Sequence, residues 1–338
     1  MSTKIETGIL NQSEYGLWDN FVAKSSYGSI YSTSEYLDII CGITDGNYKI
    51  LAVKQGDEII GGVGLYERHS SQGVYVSPRL LLYYNGIVLR DYDTKYPSKS
   101  TSRHISTMAA LEEALSEEDY SVIRFWNRTN FIDARVFLLK KWTTNLNYTY
   151  TVYLSDLNNL WNKVDHNLQR LINRCKNDHY EIVKNDDFKS FYDLHVTTHE
   201  RKGSPIYLSY ENFRLYYKRL RSKNLCSLYH ARSSEGQIAC SQLVLTGAHS
   251  VTHTVAASTD ESFMKSGVSA YLRWKVFEDL SHQGYLANDL TDAALNPVTR
   301  FKSQLGGDLH LCIGLNKTYL SINQKLMRKL KTKLKNLI

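Results

Sequence analysis

The same hairpin is written twice in this chain, and that repeat narrows the available folds more than any other feature. Residues 48–68, YKILAVKQGDEIIGGVGLYER, alternate as two strands around Gly56-Asp57, and residues 226–245, CSLYHARSSEGQIACSQLVL, do the same around Glu235-Gly236. Ile59 and Ile238 are equivalent, each followed by small residues where bulk is avoided: Gly61 and Gly62 in one copy, Cys240 and Ser241 in the other. Helical periodicity precedes each hairpin, over 14–23 and 34–40 in the first copy and over 157–176, 187–200 and 210–222 in the second. A further strand and helix follow in each, 81–89 with 104–115 and 250–258 with 268–282. This repetition predicts an α/β chain of two tandem units, each a mixed twisted sheet flanked by helices. At 338 residues the chain is long enough for each unit to bury its own core. The join is expected near 147–151, dividing the chain into 1–148 and 149–316, and no Pro- or Gly-rich linker marks it, so the units should pack closely.

The copies differ at one chemically decisive place. Ser266-Gly267-Val268-Ser269 opens the helix of the second copy, whereas DYDTKYPSKSTSRH, at the matching position of the first, has no glycine. Small residues at a helix entrance let backbone N–H groups approach an anion, and the helix dipole adds to the attraction. Lys265, Ser266, Gly267, Val268 and Ser269 are therefore the candidates for holding a pyrophosphate. The first copy is expected to have lost that site and to serve as a wall or an acceptor surface. Downstream, a short strand over 285–290 leads to Asn296, which begins a second helix with Pro297 in its first turn and Gly306-Gly307 at its end.

Taken in order, these residues resemble the GNAT acyltransferases, whose acetyl-CoA pyrophosphate loop reads Gln/Arg-x-x-Gly-x-Gly/Ala and whose last motif reads Asn-x5-Tyr-x3-Gly-Phe. Gly267 matches the central glycine, Ser269 the second small position, Asn296 the asparagine and Gly306 the later glycine. Met264 stands where Gln or Arg is usual, Lys302 in place of the tyrosine and Gly307 in place of Phe. The Phe301-Lys302 pair four residues before Gly306, near the end of the second of two such halves, resembles the Fem branch. That branch includes the peptidoglycan bridge aminoacyltransferases and related acyltransferases of exopolysaccharide loci. The resemblance implies two tandem GNAT-like domains, the first degenerate, and transfer of an acyl group to an amine. Acyl-CoA is the implied donor, and an amino sugar or a cell-envelope precursor, small or lipid-linked, the implied acceptor. Its alternative is an aminoacyl-tRNA-dependent ligase forming a peptide bond on a peptidoglycan precursor. An alternative of another class is a catalytically silent binding protein, since Met264 departs from the loop and one fold hosts many functions.

Acyl transfer to an amine needs a polarised carbonyl, a neutral amine and a neutralised leaving group. In GNAT-like sites backbone N–H groups of the strand before the glycine turn polarise the carbonyl, and here that strand is 250–258. Lys302 is the first candidate for neutralising the departing thiolate or ester oxygen, against the plain alternative of a solvated helix lysine. His253 is a candidate general base, or else a sheet-face histidine, and Asp289 a candidate proton acceptor with Asp292 as its rival. Asn296 could bond a pantetheine arm, cap its helix, or do both. The segment Gln169 to Arg174, which carries Arg170 and Arg174 one turn apart, looks like the Arg-x-x-Ile-x-Lys pattern of the Fem branch with Gln169 at its first position, and Arg201-Lys202-Gly203 stands where its members carry Arg-x-Gly. These four basic residues are candidates for an anionic acceptor; for Arg201 and Lys202 the alternative is charge matched to a helix C-terminus. His195 and His199 have a chelating spacing, yet no third ligand accompanies them and no metal is expected.

Net charge adds one more expectation. Seven of the 41 basic residues lie between Lys317 and Ile338, where no acidic residue occurs, so the other 34 cancel the 34 acidic ones and the tail carries the whole +7. Ile322, Leu326, Leu330, Leu334 and Ile338 give that tail an apolar stripe and predict a basic amphipathic helix over 317–338. Such a helix packs on its own domain, lies on anionic lipid or meets RNA phosphates. No signal-like start or membrane-length apolar run occurs, and the five scattered cysteines include no Cys-x-x-Cys, so a cytoplasmic protein, with possible contact at the inner membrane face, is expected.

Overall fold

A computed structural model describes residues 4–319. The first half runs β1 (Ile5–Ile9), α1 (Tyr15–Lys24), α2 (Ser34–Cys41), β2 (Asn47–Gln55), β3 (Glu58–Ser70), β4 (Gly73–Val76), β5 (Val88–Leu89), α3 (Pro97–Glu117), β6 (Tyr120–Trp126), α4 (Arg135–Leu139) and β7 (Thr143–Tyr153). The second runs α5 (Leu157–Lys163), α6 (His166–Asn177), β8 (Glu181–Lys184), α7 (Phe188–Arg201), α8 (Tyr210–Ser222), β9 (Cys226–Arg232), β10 (Ile238–Leu245) and β11 (Val251–Thr259). It ends with α9 (Val268–His282), β12 (Ala287–Asp289), α10 (Pro297–Ser303) and β13 (Asp308–Thr318). Both expected hairpins form, β2–β3 and β9–β10, with Gly56 at φ 62° and Gly236 at φ 83° in their turns. Glycine takes that left-handed conformation without steric cost.

The strands make one sheet in the order β1-β2-β3-β4-β6-β13-β7-β12-β11-β10-β9-β8, with β5 paired to β3 alongside. From either edge inward the same unit appears, β1 to β4 and β6 on one side, β8 to β12 on the other. The architecture is therefore the tandem, mixed α/β one expected. At the centre the halves interlock: β13, from the end of the second half, pairs with β6 of the first, and β7, from the end of the first, pairs with β12 of the second. β7 and β13 also pair with each other, from Thr143↔Asn316 to Thr151↔Asp308. The expected join near 147–151 falls inside β7, which is one uninterrupted strand.

Three details differ from the sequence reading. The segment 81–89 is not a strand of that length; only Val88–Leu89 pairs, Leu81 has φ 64°, and Asn85 instead bonds across to Arg124 and Trp126. The predicted helix 157–176 is two helices, because Asp165 accepts from the Asn167 N–H and starts α6 afresh after Val164. Residues 317 and 318 complete β13, and the rest of the predicted tail helix, from 320 on, lies outside the described residues.

Two cores cover the second half of the sheet. On one face Leu243, Leu245 and Ala256 pack with Phe191, Phe213 and Tyr216 of α7 and α8, and with Tyr31, Tyr36 and Leu37 of the first half. On the other, Cys240 and Val244 pack with Leu168 and Ile172 of α6 and with Val276 and Phe277 of α9. The small residues of the first hairpin are required by the same packing. A Cβ on Gly62 would lie 2.5 Å from the Leu51 carbonyl oxygen and 2.8 Å from the Trp18 ring. Gly62→Ala should therefore cost about 1–3 kcal/mol of stability, whereas Gly8→Ala, with no neighbour within 4 Å of its Cβ, should be near neutral; thermal unfolding of the two variants checks this.

Candidate active site

β11 and β12 are parallel neighbours for only three pairs, ending at His253↔Asp289. β12 stops there, while β11 continues to Thr259. In the ladder with β10, Leu243 faces Ala256 and Val244 faces Thr254, so Val255 is an extra residue that bends β11. The two strands part into a wedge at their C-terminal ends, the place where open α/β sheets hold ligands. The Thr291 hydroxyl donates to the Thr254 carbonyl at 2.9 Å and fixes the wedge's inner end.

Asp289 sits at the apex and is 1% exposed. It accepts from the Tyr84 hydroxyl at 2.9 Å, the Thr149 hydroxyl at 2.5 Å and the Thr291 N–H at 2.7 Å. Two of these donors, Tyr84 and Thr149, come from the first half and β7, so the strand exchange fixes this carboxylate. His253 is sealed from solvent, its Nδ1 3.7 Å from Asp289 Oδ2, and neither ring nitrogen has a hydrogen-bond partner among the described residues. Its ring lies edge-on against Tyr31, 4.9 Å between centroids. Burial, with the charge of Arg128 and the neighbouring His249, holds the imidazole well below its ordinary value and keeps it neutral. For the proton-accepting roles expected of them, Asp289 already accepts three hydrogen bonds and His253 is fully buried.

Lys302 projects from α10, whose N-cap is Asn296: its side chain accepts from the Thr299 N–H at 3.0 Å. The Lys302 ammonium donates to the carbonyls of Thr291 and Asp292, the latter at 2.7 Å. Those two residues have φ of 48° and 55°, a left-handed pair without glycine. Such a conformation costs about 1–2 kcal/mol per residue, and Lys302 clamps it. Burial first, then the positive charge of Arg273, push the Lys302 ammonium down to about 8. An amine that titrates there can give or take a proton near neutral pH.

The glycine turn differs from the open cradle its sequence predicts. Gly267 has φ 94° and is the N-cap of α9, but a Cβ built there would be 2.7 Å from Leu171 Cβ on α6. Arg174 donates to the carbonyls of Lys265, at 3.1 Å, and Ser266, and the Cys175 thiol reaches the Ser266 carbonyl at 3.4 Å. The Ser266 hydroxyl accepts from the Val268 N–H at 3.1 Å, Val268 is buried, and Ser269 bonds Thr259 at 2.8 Å. Arg174 thus ties down the turn rather than standing free for an acceptor. Nothing in the local pattern tells which neighbour covers a turn, and here α6 does.

The remaining candidates are spread over both faces. Arg170 is exposed and bonds Asn167 within α6. Arg201 and Lys202 are exposed at the end of α7 on the opposite face, with Arg201 3.5 Å from the Thr259 carbonyl at the outer end of β11. His195 and His199 meet edge-on, 4.6 Å between ring centroids, without forming a cluster of three metal-ligating side chains among the described residues. His195 Nδ1 lies 3.4 Å from the Ser258 hydroxyl, and burial pushes this imidazole down to about 4. Sequence reasoning did not single out Tyr84, Thr149, Gln242 or Arg273. Of these only Arg273 carries a local signal, a charge set directly between the buried Tyr271, Leu272 and Trp274 of α9.

Residues 162–303 match the family described as Acetyltransferase (GNAT) domain. That stretch of the chain is similar to a GNAT domain. Several solved structures share the fold over nearly the whole chain. The structure of FemX aligns with 91% of this chain and 96% of its own, at 12% identity and a TM-score of 0.70. L-PGS from Bacillus licheniformis aligns over 94% and 95%, at 11% identity and 0.56, and a tandem GNAT protein from the clavulanic acid biosynthesis pathway over 94% and 99%, at 10% and 0.53. A search of curated proteins finds no match. The tandem fold is shared with FemX and with the tandem GNAT protein, and the family match falls within its second half.

The Lys302 environment gives a signed pH prediction. Its pKa is about 8 when folded and near its ordinary 10.5 when unfolded, so between these values the unfolded chain binds more protons and stability rises with pH. The stability of the native chain relative to Lys302→Met should therefore increase from pH 7.5 to pH 10, read as the difference between their thermal midpoints. A difference that stays flat would mean an ordinary, solvated lysine.

Proposed function

We propose that this protein transfers an acyl group to an amine in the wedge between β11 and β12, and that Lys302 handles the proton or neutralises the leaving group. The observation that carries this reading is a half-buried lysine, brought down to about 8, at the open end of parted parallel strands in a stretch similar to a GNAT domain. N–H groups of the bulged β11 would polarise the acyl carbonyl, and Asp289 would hold the apex in shape rather than exchange protons. Residues 149–316 act as the donor unit and 1–148 as the acceptor unit. The latter offers a cleft of about 650 Å³ lined by Tyr27, His104, Met108, Phe131, Ile132 and Leu138. The acceptor is an amine of an amino sugar or a cell-envelope precursor, with Arg201 and Lys202 placed to meet an anionic part of it.

For the donor, packing of Leu171 and Arg174 onto the turn at Gly267 favours an aminoacyl ester on tRNA, which needs no pyrophosphate cradle there. Acyl-CoA is the second reading, favoured by the match to an acetyltransferase domain; it requires α6 to shift, or the carrier to lie elsewhere. No described helix is long and apolar enough to cross a membrane. A lipid-linked acceptor would therefore be met at a surface, and the role of the basic tail is part of this proposal.

Charged tRNA and acetyl-CoA separate the donors. With aminoacyl-tRNA, transfer to an amine acceptor should be sensitive to RNase, and acetyl-CoA should leave the thermal midpoint unchanged. A rise with acetyl-CoA, about 2.7 kcal/mol at a hundredfold excess over the dissociation constant, would reinstate CoA. Lys302→Met should lower turnover by at least about tenfold in either case, about 1.4 kcal/mol of transition-state stabilisation. A near-normal rate would remove Lys302 from the chemistry.

A further inference from the structure

Two cations on the α9 side of the wedge, Arg273 and Lys302, make no ion pair among the described residues. Arg273, on α9, makes no hydrogen bond and no ion pair among the described residues, and its Nη1 is shut off from solvent. Lys302 is held only by two backbone carbonyls. The charges of Asp292 and Asp289 are felt at Lys302 without an ion pair: Asp289 accepts from three other donors, and Asp292 is exposed with its Oδ1 accepting from the Ala294 N–H at 3.2 Å. The partly exposed guanidinium thus has one N–H shut off from water with no acceptor, a demand that a bound anion would meet.

A third unpartnered group lies in the same neighbourhood. Gln242 is fully buried; its Nε2 donates to the Thr254 hydroxyl at 3.1 Å, but its Oε1 has no partner among the described residues. Arg273 is one helical turn past Ser269, which bonds Thr259 and approaches Cys240 on β10, and Gln242 is the next residue of β10 on that face. Gln242 connects through Thr254 to Thr291, whose carbonyl holds Lys302. The charge of Arg273 is felt at both Cys240 and Lys302.

We propose that Arg273 and Lys302 form a subsite for a carboxylate carried by the acyl group being transferred, with Gln242 accepting a hydrogen bond from an N–H or O–H of the same group. The guanidinium fork matches the two oxygens of a carboxylate, and the lysine supplies a second donor. Gln242 needs a donor, which an acyl group bearing an amino or hydroxyl substituent provides. The donor class is therefore an acidic acyl group, dicarboxylic or acidic aminoacyl, rather than acetyl. This inference rests on reading the wedge as the acyl-transfer site.

The test is binding to the full chain, without turnover. Glutarate and L-glutamate should raise the thermal midpoint, whereas glutaramide, L-glutamine and inorganic phosphate at matched ionic strength should not. Arg273→Met should weaken glutamate binding at least about tenfold, and Arg273→Lys, which keeps the charge and loses the fork, should fall between. As a second readout, glutamate should slow acetic anhydride labelling of Lys302, followed by peptide mass spectrometry, in the native chain but not in Arg273→Met. Equal shifts from acid, amide and phosphate, unchanged binding in Arg273→Met, or no protection of Lys302 would each overturn the subsite. Binding of glutamate with no transfer from an acidic acyl donor would instead keep the subsite and remove the transfer reading. Transfer that ignores the charge of the acyl group would do the reverse.

Discussion

The pairing of β7 with β13 is the constraint on which the rest of this structure depends. Each strand ends one half and lies against the other, so neither half completes its sheet alone. The backbone N–H and C=O groups of β6 and β12 would otherwise line open sheet edges, with their hydrogen bonds unmade. The exchange also carries side chains into the site. Thr149 on β7 and Tyr84 of the first half hold Asp289, so the wedge of the second half takes its shape from residues of the first.

Around that wedge, the chemistry is graded by access to water. Asp289 and His253 are sealed, the one held by three donors and the other neutral. Lys302 is at the margin, buried enough to lose much of its preference for charge and still close to the opening. Arg273 deepens that effect from α9. The two helices that close the wedge thus place one cation to tune the other, and the same two charges call for an anion when the site is filled.

Much of this was legible from residue order. The hairpins, with their glycine turns at Gly56 and Gly236, follow from alternation and turn chemistry, which act over a few residues. Helices α8 and α9 match their expected limits because periodicity and the Ser209 and Gly267 caps agree with the packing. The segment 81–89 misled, since an apolar run reads alike whether it pairs as a strand or crosses the core irregularly, as here, anchored by Asn85. Lys302 and Asn296 were found through a motif with fixed spacing. Gln242 and Thr149 were not, because a polar residue in a strand gives no local sign of which face it meets.

The sequence by itself determined the repeated α/β plan, the position of the glycine turn, the cap at Asn296 and the lysine that replaces a tyrosine at 302. These are matters of local conformation, period and spacing, which neighbours along the chain settle. Only the tertiary structure decided that α6 lies over the turn, that the last strands trade places, and that Arg273 and Lys302 share one side of the wedge with no ion-pair partner among the described residues. Those outcomes join residues roughly a hundred or more positions apart, or on separate helices, through packing and burial. Such contacts exist only when the whole chain has closed around them.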